Sequence, residues 1–214
     1  MLPELNFIPV DRYWFLTWTT YGTWLPGDER GFVGVAPDES GRMVMHNQPN
    51  TPPAPPRQGL QQSAANRMKA APVVLNIDQA EALFDQFQET TAHRRWLLVA
   101  IGIMHTHLHL VVGVPGDPDP DKILSDCKAY GSRRLNQVSP SRRDGTWWTT
   151  GGSKRKLADG HSVEATVSYI HQQPNPLLIW TRDEGETHAA GFVRGLTASG
   201  SLEAALFTSQ RSGR

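Results

Sequence analysis

Residues 13–19, YWFLTWT, set bulky apolar groups at alternate positions with no breaker, the pattern of a strand with a buried face. Residues 96–104, WLLVAIGIM, are apolar throughout, as in a strand covered on both sides. Residues 107–114, HLHLVVGV, follow after a tight connection at His105 and Thr106, so the two stretches predict an antiparallel hairpin. Ahead of them Asn76 offers an N-cap for a helix that places Ile77, Ala80, Leu83, Phe84 and Phe87 on one face and stops near Arg94 or Arg95. After GDPDPD, the stretch KILSDCKAYGSRRLNQV has Ile123, Leu124, Cys127 and Leu135 at helical spacing. TWWTT at 146–150 predicts a short strand and GGSKRK a basic, glycine-loosened turn. A last helix is predicted from near Ser162 or Val163, with Val163, Val167 and Ile170 toward the core. It ends by Gln173, because Pro174 disfavours a helical residue before it.

Two stretches lack such periodicity. From Gly27 to about residue 75, glycines at 27, 31, 34 and 41, then TPPAPP and a polar QQS run, predict a long, irregular and partly mobile insertion. Residues 181–214 are rich in Gly, Ser and Ala and predict a flexible tail with one short helix at SLEAALF. The expected organisation is one catalytic domain over 1–180 carrying the 27–75 insertion, then the tail. Strand, helix, strand pair, helix, strand, helix is the order of an α+β fold, a ferredoxin-like antiparallel sheet with packed helices.

Lys plus Arg and Asp plus Glu both number 21, so affinity for a polyanion must come from local clustering of cations. Cys127 is the single cysteine, which excludes an intrachain disulfide framework and a Cys-rich zinc site and suits a reducing cytosol. No apolar run is long enough to span a bilayer and the first residues lack a signal-peptide pattern, so a cytoplasmic protein without a membrane is expected.

Side chains two apart on a strand share a face, so His107 and His109 project together while Leu108 points away. Neutral imidazoles are good ligands for divalent metals. The triplet by itself fits a half-buried pair, a nucleotide hydrolase or a DNA nickase. Tyr169 and Gln173, four apart, share one face of the last predicted helix. A tyrosine oxygen can attack a DNA phosphate and keep the bond energy in a phosphotyrosine, and a glutamine can lend an amide oxygen to a metal.

These residues resemble a known family. IMHTHLHLVV is similar to the motif of HUH endonucleases, especially the tyrosine transposases of the insertion-sequence 200 and 605 type and their relatives associated with repetitive extragenic palindromes. YWFLTWTTYGTW, KILSDCKAYGSRRLNQ, TWWTTGG and SYIHQQ resemble that family's first strand, helix, tryptophan-bearing strand and tyrosine helix, in the same order. The resemblance implies His107 and His109 as metal ligands, Gln173 as a third, Tyr169 as nucleophile, Mg²⁺ or Mn²⁺ as cofactor, and a homodimer. The substrate it implies is single-stranded DNA containing a hairpin. Three features depart from the family pattern: His105 and Thr106 in place of Pro-Asn before the first histidine, Pro174 directly after Gln173, and the insertion. His105 is thereby a competing ligand.

Lys122, Lys128, Arg133, Arg134, Lys154, Arg155 and Lys156 flank this site and are candidates to track a strand's phosphates. Of the adjacent pair Trp147 and Trp148, one is expected to stack on a base while the other packs inward. Tyr130, beside Gly131, is the rival nucleophile. Two other functions compete. HTHLHLVV nearly matches a histidine-triad nucleotide hydrolase, although Thr106 stands where an apolar residue belongs, and a non-catalytic single-strand DNA-binding protein of the same fold is the second alternative.

Overall fold

Alternation decides the first strand, β1 (Arg12–Thr19): Leu16 and Trp18 are buried in one apolar cluster, while Tyr13 and Phe15 pack into another on the opposite face. The structure, a computed structural model, describes residues 10–30, 34–38, 40–46, 55–140, 146–182 and 191–194. The predicted hairpin is β4 (Leu97–Met104) and β5 (His107–Val114), in which Gly102 pairs with His109 and Ile103 with Leu108. β1 lies antiparallel along the other side of β5, with Thr17 opposite His109 and Thr19 opposite His107.

The helix α2 (Ile77–Arg94) connects β1 to β4, and α3 (Pro120–Val138) connects β5 to β6 (Ser153–Leu157), which lies antiparallel outside β1. The order β6-β1-β5-β4 is that of two interlocked split βαβ units, the ferredoxin-like arrangement. β7 (Pro176–Thr181) and β8 (Gly191–Arg194) extend the sheet beyond β4. α2 starts where the sequence places it: the Asn76 side chain accepts from Gln79 N at 2.9 Å, and Gln79 Oε1 accepts from Asn76 N at 3.0 Å. This capping box satisfies two of the orphan donors of the first turn. It ends on Arg95 in the left-handed region at φ 55°.

The main core lies on the α2 and α3 face, where Trp18, Leu108 and Leu110 meet Leu83, Phe87, Ile123 and Leu135. Truncating one such leucine to alanine costs about 2–5 kcal/mol. On the opposite face α4 (Gly160–His171) packs Val163, Val167 and Ile170 against Ala100, Val111 and Ile179. The sheet is therefore covered on both sides, and everything that projects from β5 toward α4 is set apart from the main core.

Four local expectations need correction. The insertion is not irregular throughout: it contains a hairpin, β2 (Gly34–Pro37) with β3 (Met43–His46), and a helix, α1 (Gln58–Asn66). No residue of α1 is buried, so the sequence carries no apolar periodicity there. TWWTT contributes an isolated bridge between Trp148 and Thr20 in place of a strand. SKRK of GGSKRK belongs to strand β6, whose edge position leaves Arg155 and Lys156 exposed and hides the alternation, with Leu157 alone buried. β7, a stretch to which the sequence reading assigns no element, begins at Pro176, and its apolar run is buried against the sheet. Within the stretch expected to be a tail, 191–194 pair with β7 as β8; SLEAALF lies outside the described residues. Among the described residues no helix is long and apolar enough to cross a membrane.

Candidate functional site

The period of two along β5 brings His107 and His109 out on the α4 side of the sheet, their ring centroids 5.0 Å apart. His109 is buried, and its Nδ1 lies 2.8 Å from Thr17 Oγ1, its partner across the ladder. His107 Nδ1 lies 3.3 Å from Thr106 Oγ1. With Nδ1 engaged in each ring, Nε2 is the atom left to act, and His109 Nε2 is buried with no hydrogen-bond partner. Burial pushes the His109 imidazolium down to about 4, with the charge of His107 adding to the effect and the Gln173 amide working against it. His107 is shifted in the same direction by burial, opposed by Gln173 and assisted by Arg30. Both rings are neutral at neutral pH, the form that binds a metal.

α4 delivers Tyr169 and Gln173 to these rings. Asp159 caps it, accepting from Ser162 N at 2.7 Å. The helix lies close to the sheet because β4 carries Gly102 beside His109; a Cβ there would come within 2.9 Å of Ile170 Cγ2. Tyr169 is half-exposed, its ring 5.4 Å from that of His109 and edge-on to Phe15 at 6.1 Å. Phe15 in turn stacks on His109 at 5.4 Å. Gln173 is not helical, since the C-cap is Gln172. Its Nε2 nonetheless reaches back to donate to the Tyr169 carbonyl at 3.2 Å, which directs its amide oxygen toward the imidazoles.

Two neutral imidazoles, a buried ring nitrogen without a partner and an amide oxygen are a donor set that fits a divalent cation. Among the described residues no group of three or more His, Cys, Asp or Glu side chains is placed to hold a metal ion, and the Gln173 amide is the further donor beside the two rings. His105 is tied elsewhere: its Nδ1 donates to the Leu75 carbonyl at 3.0 Å. The alternation of three histidines therefore does not produce three convergent rings.

The other expected residues are distributed unevenly. Arg155 on β6 lies over Phe15 at 5.2 Å and donates to Thr166 Oγ1 at 3.0 Å, beside the histidines. Lys128 is occupied, donating to the carbonyls of Thr149 at 2.5 Å and Gly151 at 2.6 Å, with burial pushing its ammonium down to about 8. Arg133 stacks on Tyr130 at 5.0 Å, Arg134 reaches Asp85 at 4.0 Å, and Lys154 pairs with Asp121. Lys128, Arg133 and Arg134 sit on α3, across the sheet from the histidines, and Lys154 on the β6 edge pairs with that helix. Tyr130 shares that far side. Lys122 and Lys156 are exposed. Both tryptophans pack inward: Trp147 donates to Asn136 Oδ1 at 2.7 Å and Trp148 to the Lys128 carbonyl at 3.0 Å, so neither face is offered to a base. Thr17, Phe15 and a Trp24–Arg30 pair near His107 complete the surroundings, and none was singled out from sequence.

Comparison with known proteins gives a consistent result. The family described as "Transposase IS200 like" matches residues 64–173. Two solved structures are similar. One is a candidate transposase from Deinococcus radiodurans R1, at 15% identity over 77% of this chain and 93% of that one, with a TM-score of 0.43. The other is a REP-associated tyrosine transposase bound to a REP hairpin, at 13% identity over 80% of this chain and 71% of that one, with a TM-score of 0.41. No curated protein matches.

Proposed function

The chain belongs to the IS200-like transposase family, enzymes of HUH type that act through a tyrosine, and on that premise we propose that Tyr169 is the nucleophile and His107, His109 and Gln173 the metal-binding set. The observation that supports this most is the placement of the half-exposed Tyr169 ring 5.4 Å from a buried imidazole whose Nε2 lacks a partner. In the proposed step the Tyr169 phenol oxygen attacks a backbone phosphorus of single-stranded DNA. A P–O bond to tyrosine forms and the bond to the 3′ oxygen breaks. That oxygen leaves with the electron pair and takes up a proton as a free 3′ hydroxyl, while the phenol gives up its own. The 5′-phosphotyrosine keeps the bond energy, so a later attack by a 3′ hydroxyl rejoins a strand and frees Tyr169.

A phenol with a pKa of about 10 is a poor nucleophile at neutral pH, and the missing help is Lewis-acid neutralisation of the phosphate charge, which Mg²⁺ or Mn²⁺ would supply when bound. The protein's own residues set the rest: Thr17 and Thr106 engage Nδ1, Gln173 bridges ligand set and nucleophile helix, and Phe15 supports both the His109 and Tyr169 rings. The substrate is a hairpin-bearing single strand and the working unit a homodimer, both following from the family resemblance; the catalytic domain spans 1–180, and the single cysteine suits a cytoplasmic setting.

The test uses labelled single-stranded hairpin oligonucleotides and Mn²⁺, with a denaturing gel as readout. A protein–DNA adduct that survives denaturation and disappears in Tyr169→Phe is expected. No adduct from the wild type across a hairpin library, or an adduct retained by Tyr169→Phe, overturns the assignment. Hydrolysis of adenosine phosphoramidates lost in His107→Ala would point to the nucleotide hydrolase instead.

A further inference from the structure

The segment after β1 carries a second polar cluster, fastened to the histidine pair. Thr20 N and Thr20 Oγ1 donate to the Thr106 carbonyl at 2.9 and 3.0 Å, so the turn is pinned to the residue before His107. Trp24 then meets the His107 ring at 6.4 Å in a T-shaped contact, and the Arg30 guanidinium lies over Trp24 at 4.7 Å. Arg30 is locked from below by Asp28, a buried carboxylate that accepts from Nε at 2.8 Å, from Nη2 at 2.7 Å and from Arg30 N at 3.0 Å. Nη2 also donates to the Thr23 carbonyl at 3.0 Å.

The insertion buttresses this lock. Gln61 of α1 donates to Asp28 Oδ2 at 3.3 Å, and Arg57 N donates to the Gly27 carbonyl at 3.0 Å. Gly27 has φ +91° and no room for a Cβ, which would stand 2.4 Å from Arg57 O.

The Asp28 lock leaves one guanidinium nitrogen over. With Nε and Nη2 held, Nη1 has no hydrogen-bond partner among the described residues, and the side chain is 47% exposed. Its ordering entropy is already spent before any ligand arrives. Arg30, Trp24, His107, His109, Phe15 and Arg155 follow one another as a row of stacked and edge contacts, a guanidinium at each end.

We propose that Arg30 is a phosphate-positioning residue: its Nη1 grips a phosphate of the single strand adjacent to the scissile one, on the His107 side, and the insertion exists in part to hold it there. This rests on the reading of the histidine pair and Tyr169 given above.

A thermodynamic cycle tests it. The probe is a hairpin oligonucleotide that forms the adduct, with each phosphate around the cleavage point replaced singly by an uncharged methylphosphonate, and binding to the full chain is read by anisotropy. The wild type is expected to lose about tenfold in affinity at one position next to the scissile phosphate, as for one charge-assisted hydrogen bond. Arg30→Ala is expected to abolish that position-specific loss and leave the penalties elsewhere intact. If Arg30→Ala does not fold, Arg30→Lys, which keeps charge but not the fork, is expected to shrink the same loss. Equal penalties at every position in wild type and a folded variant overturn the proposal and leave Arg30 as a clamp for the turn. In that case adduct formation by the wild type still upholds Tyr169; failure of the wild type to form an adduct with any hairpin overturns both readings.

Discussion

Thr17 and His109 face each other across the β1–β5 ladder, and the threonine hydroxyl lies 2.8 Å from His109 Nδ1. If Nδ1–H donates to Thr17 Oγ1, the lone pair is on Nε2, the tautomer a metal requires. Thr17→Val is expected to weaken Mn²⁺ binding by about ten- to a hundredfold with little loss of fold, and Thr17→Ser to restore it. Isothermal titration of the three proteins checks this; unchanged affinity in Thr17→Val would remove the threonine from the site.

The depressed His109 gives a stability slope with a defined sign. Its folded value is about 4 against 6.5 for the free group, so between those values the unfolded chain binds more protons. The associated stability is fully present above pH 6.5 and is lost as pH falls through about 4, on the order of 3 kcal/mol. Urea unfolding of the metal-free protein from pH 7.5 to 4.5 is expected to show this loss, and His109→Gln to flatten it.

Gly102 sets how near α4 comes to the sheet. Gly102→Ala is expected to cost about 1–3 kcal/mol by overpacking against Ile170 and to lower adduct formation more than DNA binding, since it displaces the Tyr169 helix. Ile170→Leu, which removes the branching methyl, is expected to recover part of both in the double variant. Additive effects of the two substitutions would argue against the contact.

Trp147 offers a contrast between packing and recognition. Buried and bonded to Asn136, it is expected on Trp147→Phe to lose about 1–3 kcal/mol of stability while DNA affinity changes less than about twofold. A large affinity loss at unchanged stability would contradict the inward packing.

Much of this arrangement is legible in the sequence where a period or a cap is local. His-Leu-His on an apolar strand fixes which face carries the imidazoles, and Asn76 with Gln79 fixes the start of α2. Thr17 is also a period-two neighbour of Phe15, yet its role depends on the register of β1 against β5, which no local pattern encodes. Arg155 and Lys128 look alike as cations near the motif; the sheet puts one on each side, and only the first reaches the histidines' aromatic neighbour. The Trp24–Arg30 pair escapes notice because its anchor, Asp28, is hydrogen-bonded by a helix that has no buried face of its own. β6 and β7 are hidden for opposite reasons, one by edge cations and the other by Pro174 before it and Pro176 at its first position.

The two faces of β5 are also a reading frame. His107 and His109 look toward α4 while Leu108 and Leu110 are fully buried toward α2 and α3, so deleting one residue within this strand would exchange the sets, sending imidazoles into the core and leucines to the tyrosine. Substitutions can erode this site step by step, but a one-residue slip erases its two faces together, which makes β5 the stretch of this chain least able to tolerate a change in length.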